Sequence, residues 1–310
     1  MTALAHGLDD ARQLPPLDAE TLLTSWEVEP QIAAVLAVAA AAYLTGVVHL
    51  RRNGGAWPIG RAVLWLLGLV TILIATSSAV GVYDGALFTA HSIQHLLLQM
   101  LAPVPLALAA PITLALRALP RPGRRALLSV LHSRLVRFIT KPLVAFAAFV
   151  ISPFVLYYSP LYEATLRNDL LHNLSHAHYV ALGLLMFSIL LGLDPLPNRM
   201  PYIYRFLMIF ALGPVHVLLG VPIMMGNEIF AVDYYTELAR SWGPTMLEDQ
   251  QTGGGLLWVF GDVVVVAFLG GMFAHWLRSD ERDARRIDRD LDRRYGAGPT
   301  MPVPWSSPSA

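Results

Sequence analysis

Seven stretches of mostly apolar residues constrain this 310-residue chain more than any other feature. A helix rises about 1.5 Å per residue, so about 20 residues cross the roughly 30 Å hydrocarbon core of a bilayer. Within lipid every backbone N–H needs a partner inside the protein, which favours helices for such stretches. The sequence therefore predicts an all-α, polytopic membrane helix bundle with seven transmembrane helices. The predicted spans are residues 31–50, 62–82, 88–108, 142–158, 171–193, 202–225 and 253–277.

The composition agrees with a membrane protein and excludes several other classes. Apolar residues make up 55% of the chain and charged residues only 14%, whereas a soluble domain has about 25% charged residues. This shortfall argues against a soluble enzyme, and the high hydrophobicity argues against a disordered chain. The 22 basic and 22 acidic residues cancel, so no nucleic-acid partner is indicated. The chain has no cysteine, which excludes disulfides, thiolate metal ligands and a catalytic thiol.

Basic residues are concentrated in alternate connections between the predicted spans. Nineteen of the 22 follow spans one, three, five and seven. Because basic loops stay in the cytoplasm, we expect the N-terminus outside and the C-terminus in the cytoplasm. The expected organisation is an outer tail (residues 1–29), a membrane domain (30–277) and a cytoplasmic segment (278–310). In the last segment we expect a charged helix to Arg294 and a disordered tail from Gly296.

Histidines mark the outer end of the predicted bundle. His91 and His95 open the third span, and His172 and His176 open the fifth, with the first residue of each pair nearer the water. The i,i+4 spacing places both imidazoles of a pair on one helix face. Histidine within a membrane usually faces the bundle interior, and imidazole is the commonest side-chain metal ligand. We therefore predict that these four residues bind a metal, while His178 points away from them.

A second pairing involves the sixth and seventh spans. His216 and Asp262 each lie nine residues from the outer end of their span, so we expect them at similar depth. We predict His216 as a fifth metal ligand, oriented by the Asp262 carboxylate. Met224 and Met225 end the sixth span on the same side, and thioether with imidazole suits copper. The alternative interpretation is that these histidines pack between helices and that both methionines face the core or lipid.

Other features concern the shape and surface of the bundle. Pro103, Pro105 and Pro111 remove backbone donors from the third span and predict a kink. Glu248 and Asp249 precede the seventh span in what we expect to be an outer loop. The basic loop between spans three and four is first an orientation signal and second a candidate segment for binding anionic lipid.

Five short motifs occur in order along the predicted membrane domain: His91-Ser-Ile-Gln-His95, Ala102-Pro103, Ala110-Pro111, His172-x-x-x-His176 and Asp249-Gln250-x-x-Gly253-Gly254-x-x-x-Trp258. Together they resemble the signature of the CtaG-type cytochrome c oxidase assembly factors, and the resemblance covers residues 26–278. Two positions depart from the family pattern, since Ala79 stands where the family often has proline and Ser92 where it often has methionine.

The resemblance implies a multi-pass protein of the bacterial plasma membrane that helps to mature a haem–copper oxidase and handles copper. It implies oxidase subunits as partners, in addition to the membrane lipids around the spans. Gln94 and Asp249 match recurrent polar positions of the family, and we assign them supporting roles beside the metal ligands. We expect such a protein to act without turning over a substrate, so it is not predicted to be an enzyme.

Two other functions remain open at this point. Histidines on separate helices at similar depth are compatible with a haem- or quinone-binding redox protein. A copper transporter is the other alternative, although the chain shows no internal repeat of the kind common in transporters. A retinal-binding photoreceptor is excluded, because Lys141 is the only lysine and lies at the end of a loop.

Overall fold

The computed structural model describes residues 8–198 and 200–295. Helices make up 78% of the structure, and the described residues contain no strand. They divide into a bundle that ends at Val265 and the remaining part of the last helix. The predicted all-α class is therefore confirmed. That last helix continues to Tyr295, and the predicted disordered tail from Gly296 lies outside the described residues.

Six helices of the described chain are long and apolar enough to cross a membrane. The number of spans rises to seven if the bent pair of residues 142–157 and 161–167 counts as one span. In chain order the helices are α1 Leu8–Gln13, α2 Ala19–Thr24, α3 Pro30–Arg52, α4 Ile59–Ser77, α5 Ala79–Val82, α6 Phe88–Leu96, a π segment Leu97–Leu101, α7 Pro103–Leu108, α8 Pro111–Ala118, α9 Arg121–Leu131, α10 Arg134–Ile139, α11 Pro142–Tyr157, α12 Leu161–Arg167, α13 Asp169–Leu191, α14 Tyr202–Met225, α15 Val232–Leu238 and α16 Met246–Tyr295.

The fourth predicted span does not form a full crossing by itself. α11 has 16 residues, which correspond to about 24 Å of helix. It is followed by α12 at an angle of 72°. The bend falls just before Pro160, which has no N–H to continue the helix, and the Ser159 hydroxyl donates to the Val155 carbonyl at 2.6 Å. A crossing at this position requires both helices.

The third span, Phe88–Ala118, is continuous but irregular. The Ala102 amide donates to the Leu97 carbonyl five residues earlier, at 2.8 Å, which forms a π turn directly before Pro103. A second break follows at Ala110, whose φ is 50°. The prolines from which a kink was predicted thus adjoin two local irregularities of the helix backbone.

The π turn presents its backbone to α13. A Cβ placed on Gly183 would lie 2.2 Å from the Gln99 carbonyl oxygen, so the two backbones are in direct contact. The side-chain amide of Gln99 donates to the backbone carbonyl of Phe149 in α11 at 3.0 Å. This packing brings α13 alongside the third span, and α6 and α13 begin at the same end of the bundle, which we call the histidine end.

The seventh span begins earlier than predicted. Glu248 and Asp249 were expected in an outer loop, and that prediction is wrong. Both residues lie in the first turn of α16. The Thr245 hydroxyl accepts from the Glu248 amide at 3.3 Å, while the Glu248 carboxylate accepts from the Thr245 amide at 2.9 Å. This reciprocal capping box starts the helix at this point.

The N-terminal tail packs on the histidine end. The Arg12 guanidinium donates to the Glu237 carbonyl next to the end of α15, at 2.6 Å. The Tyr83 hydroxyl donates to the Pro15 carbonyl at 3.1 Å. These bonds hold the tail beside the turn between α5 and α6.

Candidate metal site

Four imidazoles from two helices meet at the histidine end. On α6 the ring centroids of His91 and His95 are 4.1 Å apart, and on α13 those of His172 and His176 are 4.3 Å apart. Between the helices, His91 lies 5.9 Å from His172, and His95 lies 6.4 Å from His176. All four side chains are buried. The two i,i+4 pairs thus form one group, which we call the histidine cluster.

A carboxylate that the sequence interpretation missed adjoins the histidine cluster. Asp84 lies in the turn between α5 and α6 and is only 4% exposed. Its Oδ2 accepts a hydrogen bond from Nε2 of His172 at 2.9 Å. One ligand atom each from Asp84, His172 and His176 lie within 4.8 Å of one another. If these three atoms moved slightly closer together, each could lie about 2.0–2.2 Å from a shared metal ion, which is the usual bond length from nitrogen or oxygen to zinc.

Gln94 orients one imidazole of the histidine cluster. Its Nε2 donates to the Ala75 carbonyl at 3.2 Å, which turns Oε1 toward His176. That oxygen accepts from Nε2 of His176 at 2.8 Å. The hydrogen bond fixes the tautomer of His176 and leaves its lone pair on Nδ1, as hydrogen-bond partners commonly do for ligating histidines.

His91 is the member of the histidine cluster for which the protein supplies least. Although the sequence placed it nearer the water than His95, it is 0% exposed. Within the described part of the chain, neither of its ring nitrogens has a hydrogen-bond partner, and Nε2 of His95 has none either. A buried polar group left unsatisfied costs about 1–3 kcal/mol. These nitrogens are therefore the positions where a bound cation would gain most.

Tyrosine rings form the wall around the histidine cluster. Tyr162 lies 4.9 Å from the His91 ring, and Tyr179 lies 4.4 Å from the His95 ring. The Tyr162 hydroxyl is 2.7 Å from that of Tyr235, which belongs to α15 outside the spans. Burial raises the pKa of the Tyr235 hydroxyl above its ordinary value, so this part of the wall is uncharged at neutral pH.

Asp249 positions the helix that carries His91 and His95. Its carboxylate accepts from the backbone amides of Phe88 at 2.7 Å and Thr89 at 3.3 Å, at the start of α6. This caps α6 from another helix, α16, and complements the positive end of its dipole. The residue thus contacts the helix start and not an imidazole.

His216 and Asp262 lie next to each other, apart from the histidine cluster. Nδ1 of His216 is 3.5 Å from Oδ1 of Asp262, and the other carboxylate oxygen accepts from the Trp258 indole at 3.0 Å. The His216 ring packs on Gly261, where an added Cβ would lie 2.7 Å from it. None of the ring contacts found among the described residues joins His216 to the other four.

The remaining candidates lie away from the histidine cluster. Nε2 of His178 forms a hydrogen bond with the Ser152 hydroxyl at 2.7 Å. The Met224 sulfur lies 3.4 Å from a Cβ placed on Gly255, which puts it against α16, and Met225 is 70% exposed. The donor set of the cluster is therefore imidazole nitrogen and carboxylate oxygen. Imidazole suits copper, zinc, nickel and iron, so the residues fit a transition-metal ion.

The fold and the site together define a class of protein: a multi-span helix bundle with a buried site of histidines and an aspartate. The chain belongs to the cytochrome c oxidase caa3 assembly factor family (Caa3_CtaG), whose family model matches residues 41–279. This range includes the whole histidine cluster and Asp84, and it confirms the family that the motifs indicated.

Relatives of this chain occur in mycobacteria. Two uncharacterized proteins, Mb0105 of Mycobacterium bovis and MT0111 of Mycobacterium tuberculosis, are each 35% identical over 288 residues, covering 91% of this chain and 43% of theirs. A Mycobacterium leprae protein is 34% identical over 291 residues, with coverages of 91% and 44%. The chain thus spans less than half the length of these relatives. No solved structure matches it.

Proposed function

We propose that this protein binds copper at the histidine cluster and passes it to a subunit of a haem–copper oxidase during assembly. The observation that carries the proposal is His91, a fully buried imidazole without a hydrogen-bond partner in the described chain, which lies against the imidazoles of His95 and His172. Membership of an oxidase assembly family supplies the client. Asp84 would balance part of the charge of the bound ion.

The donor set favours copper among the divalent metals, and Cu²⁺ over Cu⁺. Affinity at a given nitrogen and oxygen site rises along the first transition series and is highest for Cu²⁺. Thioether ligands would instead select Cu⁺, and the two methionines considered for that role, Met224 and Met225, lie elsewhere. Weak carboxylate ligation beside imidazoles also suits a carrier that must release its ion.

We further propose that the histidine end faces the outside of a bacterial plasma membrane, with lipid around the spans. The distribution of basic residues supports this orientation, since those of the loops between spans lie mainly at the opposite end. Copper would then be received and delivered on the outer side. A haem between the two histidine pairs is disfavoured, because tyrosine rings pack directly against the imidazoles.

The direct test is the copper content of the purified full chain in detergent, loaded with Cu²⁺ and then freed of excess metal. We expect the double variant His95→Ala/His176→Ala to lose bound copper. His178→Ala is the matched control, since it removes an imidazole of the same helix outside the histidine cluster, and it should keep the wild-type copper content. Helix content by circular dichroism, equal in all three proteins, would show that each variant is folded.

Unchanged copper in the folded double variant would overturn the site. A Soret absorption band in the purified protein would replace the proposal with the haem alternative. Uptake of copper into sealed liposomes would favour a transporter. The client is tested by deleting the protein and recording oxidase spectra under limiting copper, and a normal oxidase in the deletion strain would exclude the assembly role.

A further inference from the structure

The connection between the third and fourth spans lies at the end opposite the histidine cluster. It runs from Ala118, where the third span ends, to Pro142, where α11 begins. Two short helices, α9 and α10, make up most of it. Because both flanking helices enter the bilayer, this connection lies at the membrane surface.

Every charged side chain of this connection and its edges is cationic. Residues 117–141 hold seven basic residues and no acidic residue. They are Arg117, Arg121, Arg124, Arg125, Arg134, Arg137 and Lys141. None of the ion pairs found among the described residues involves any of them. We call residues 117–141 the basic connection. Its uncompensated charge at a membrane surface attracts anions.

Exposed apolar side chains lie among these arginines. On α10, Leu135 is 68% exposed and Phe138 is 54% exposed, and both alternate with Arg134 and Arg137 along an exposed face. Val130 of α9 is 58% exposed. Large apolar groups next to arginines suit the boundary between headgroups and acyl chains, where each finds its own medium.

The basic connection is fixed to the bundle and does not need to be ordered by a ligand. Leu131 is buried at the end of α9. The Asn198 side-chain amide donates to the Arg137 carbonyl at 2.8 Å and to the Thr140 hydroxyl at 2.9 Å. The Ser133 hydroxyl accepts from the Val136 amide at 3.2 Å and caps α10. Binding would therefore cost little conformational entropy.

We propose that the basic connection is a binding surface for anionic phospholipid. Its arginines would hold headgroup phosphates, which the planar guanidinium can engage with two hydrogen bonds. Leu135 and Phe138 would enter the upper acyl region. The inference rests on the multi-pass membrane placement in the proposed function, but it does not depend on the metal. It assigns the basic connection a ligand in addition to its role in setting orientation.

The experiment uses the full chain reconstituted with equal amounts of phosphatidylglycerol and phosphatidylcholine, extracted into mild detergent and analysed by native mass spectrometry. Wild type should retain phosphatidylglycerol in several-fold excess. The variant Arg121→Gln/Arg125→Gln/Arg134→Gln/Arg137→Gln should lose that excess and retain the two lipids about equally, because it lacks four of the cations that attract the anionic headgroup. The same four positions changed to lysine keep the charge and should retain most of it. Copper content should be equal in all three proteins.

Equal retention of both lipids by wild type would overturn the proposal and would direct attention to an acidic protein segment as the occupant. If the glutamine variant kept the excess of phosphatidylglycerol, the proposal would also be overturned, because the bound lipid would then lie elsewhere on the protein. If the glutamine variant does not fold, Leu135→Ser/Phe138→Ser tests the same surface without changing its charge, and it should weaken retention several-fold. Loss of copper binding in all proteins, with lipid selectivity kept, would refute only the proposed function.

Discussion

The bundle holds buried histidines in two settings, and their difference separates a candidate ligand set from a structural pair. In the histidine cluster, His172 lies 2.9 Å from Asp84, which is 4% exposed, and the imidazoles of His91 and His176 adjoin the His172 ring. His216 lies 3.5 Å from Asp262, whose side chain is 33% exposed. Both settings contain a histidine beside an acid. Only the first brings enough donors together to surround an ion.

The helix packing explains the difference. Gly183 lets α13 touch the backbone of the π turn at the Gln99 carbonyl. Gly183 is seven residues after His176 and Gln99 is four after His95, so these contacts share helix faces with the histidines. At Gly261, by contrast, the close neighbour is the His216 ring itself. Backbone contact in the first case places ligands opposite ligands, whereas the second case merely seats one side chain.

The largest effect should come from removing the Asp84 carboxylate beside the histidine cluster. Asp84→Asn keeps the shape of the side chain but removes its charge and weakens its bond to His172. We expect copper affinity to fall by about 10–100-fold, the range found for groups that orient or complete metal sites. A competition titration with a chelator of known affinity measures it. Asp262→Asn is the matched control and should change affinity less than about twofold; an equal loss in both variants would erase the distinction between the two settings.

A somewhat smaller effect is expected from separating α13 from the π turn. Gly183→Ala places a methyl group 2.2 Å from the Gln99 carbonyl oxygen and 2.5 Å from Pro103. Overpacking of this kind costs about 1–3 kcal/mol, and the shift should widen the histidine cluster and lower copper affinity by about tenfold. Thermal unfolding in detergent and the same titration measure both quantities.

Gly60→Ala is the control for the helix substitution itself, because nothing lies within 4 Å of the added carbon. It should leave copper affinity at the wild-type value and should leave stability unchanged or slightly raised, because alanine is the better helix former. If Gly183→Ala unfolds like wild type, the close backbone contact does not hold the histidine cluster together.

A third comparison concerns the two acids that cap pieces of the third span. Asp249 caps α6 beside the histidine cluster, and Asp194 accepts from the Thr113 amide at 2.7 Å and caps α8 at the opposite end. Asp249→Ala and Asp194→Ala should each destabilise by about 0.5–2 kcal/mol. Only Asp249→Ala should also weaken copper binding, several-fold, because α6 carries His91 and His95. A copper loss of the same size in Asp194→Ala would mean that general destabilisation, and not helix position, controls the cluster.

Local patterns explain what could be predicted from the sequence. Apolar stretches of membrane length indicated the spans, and the i,i+4 spacing placed His91 with His95 and His172 with His176. Boundaries failed where a local signal competed with hydropathy. The capping box of Thr245 and Glu248 starts α16 before the apolar stretch begins. The fourth span kept its predicted bounds to within one residue, but at 16 residues α11 is too short to cross alone.

Asp84 was missed because its role is a tertiary contact between a turn and a distant helix. In sequence it stands before a glycine, as many turn aspartates do. One signal was nevertheless available: it is the only charged residue between Arg61 and Arg117. A charge retained in so apolar a region indicates a buried partner, although its partner His172 follows only from the packing of α13.

The smallest effect should come from the second histidine setting. His216→Ala removes a ring that packs on Gly261 and lies beside Asp262, and it leaves the histidine cluster untouched. We expect a loss of stability of about 1–2 kcal/mol from the vacated space and a copper content equal to that of wild type. Thermal unfolding and metal analysis of the same sample separate the two quantities. If His216→Ala lost its copper while remaining folded, the fifth histidine would be a ligand after all, and the ion would bind deeper in the bundle than the histidine cluster.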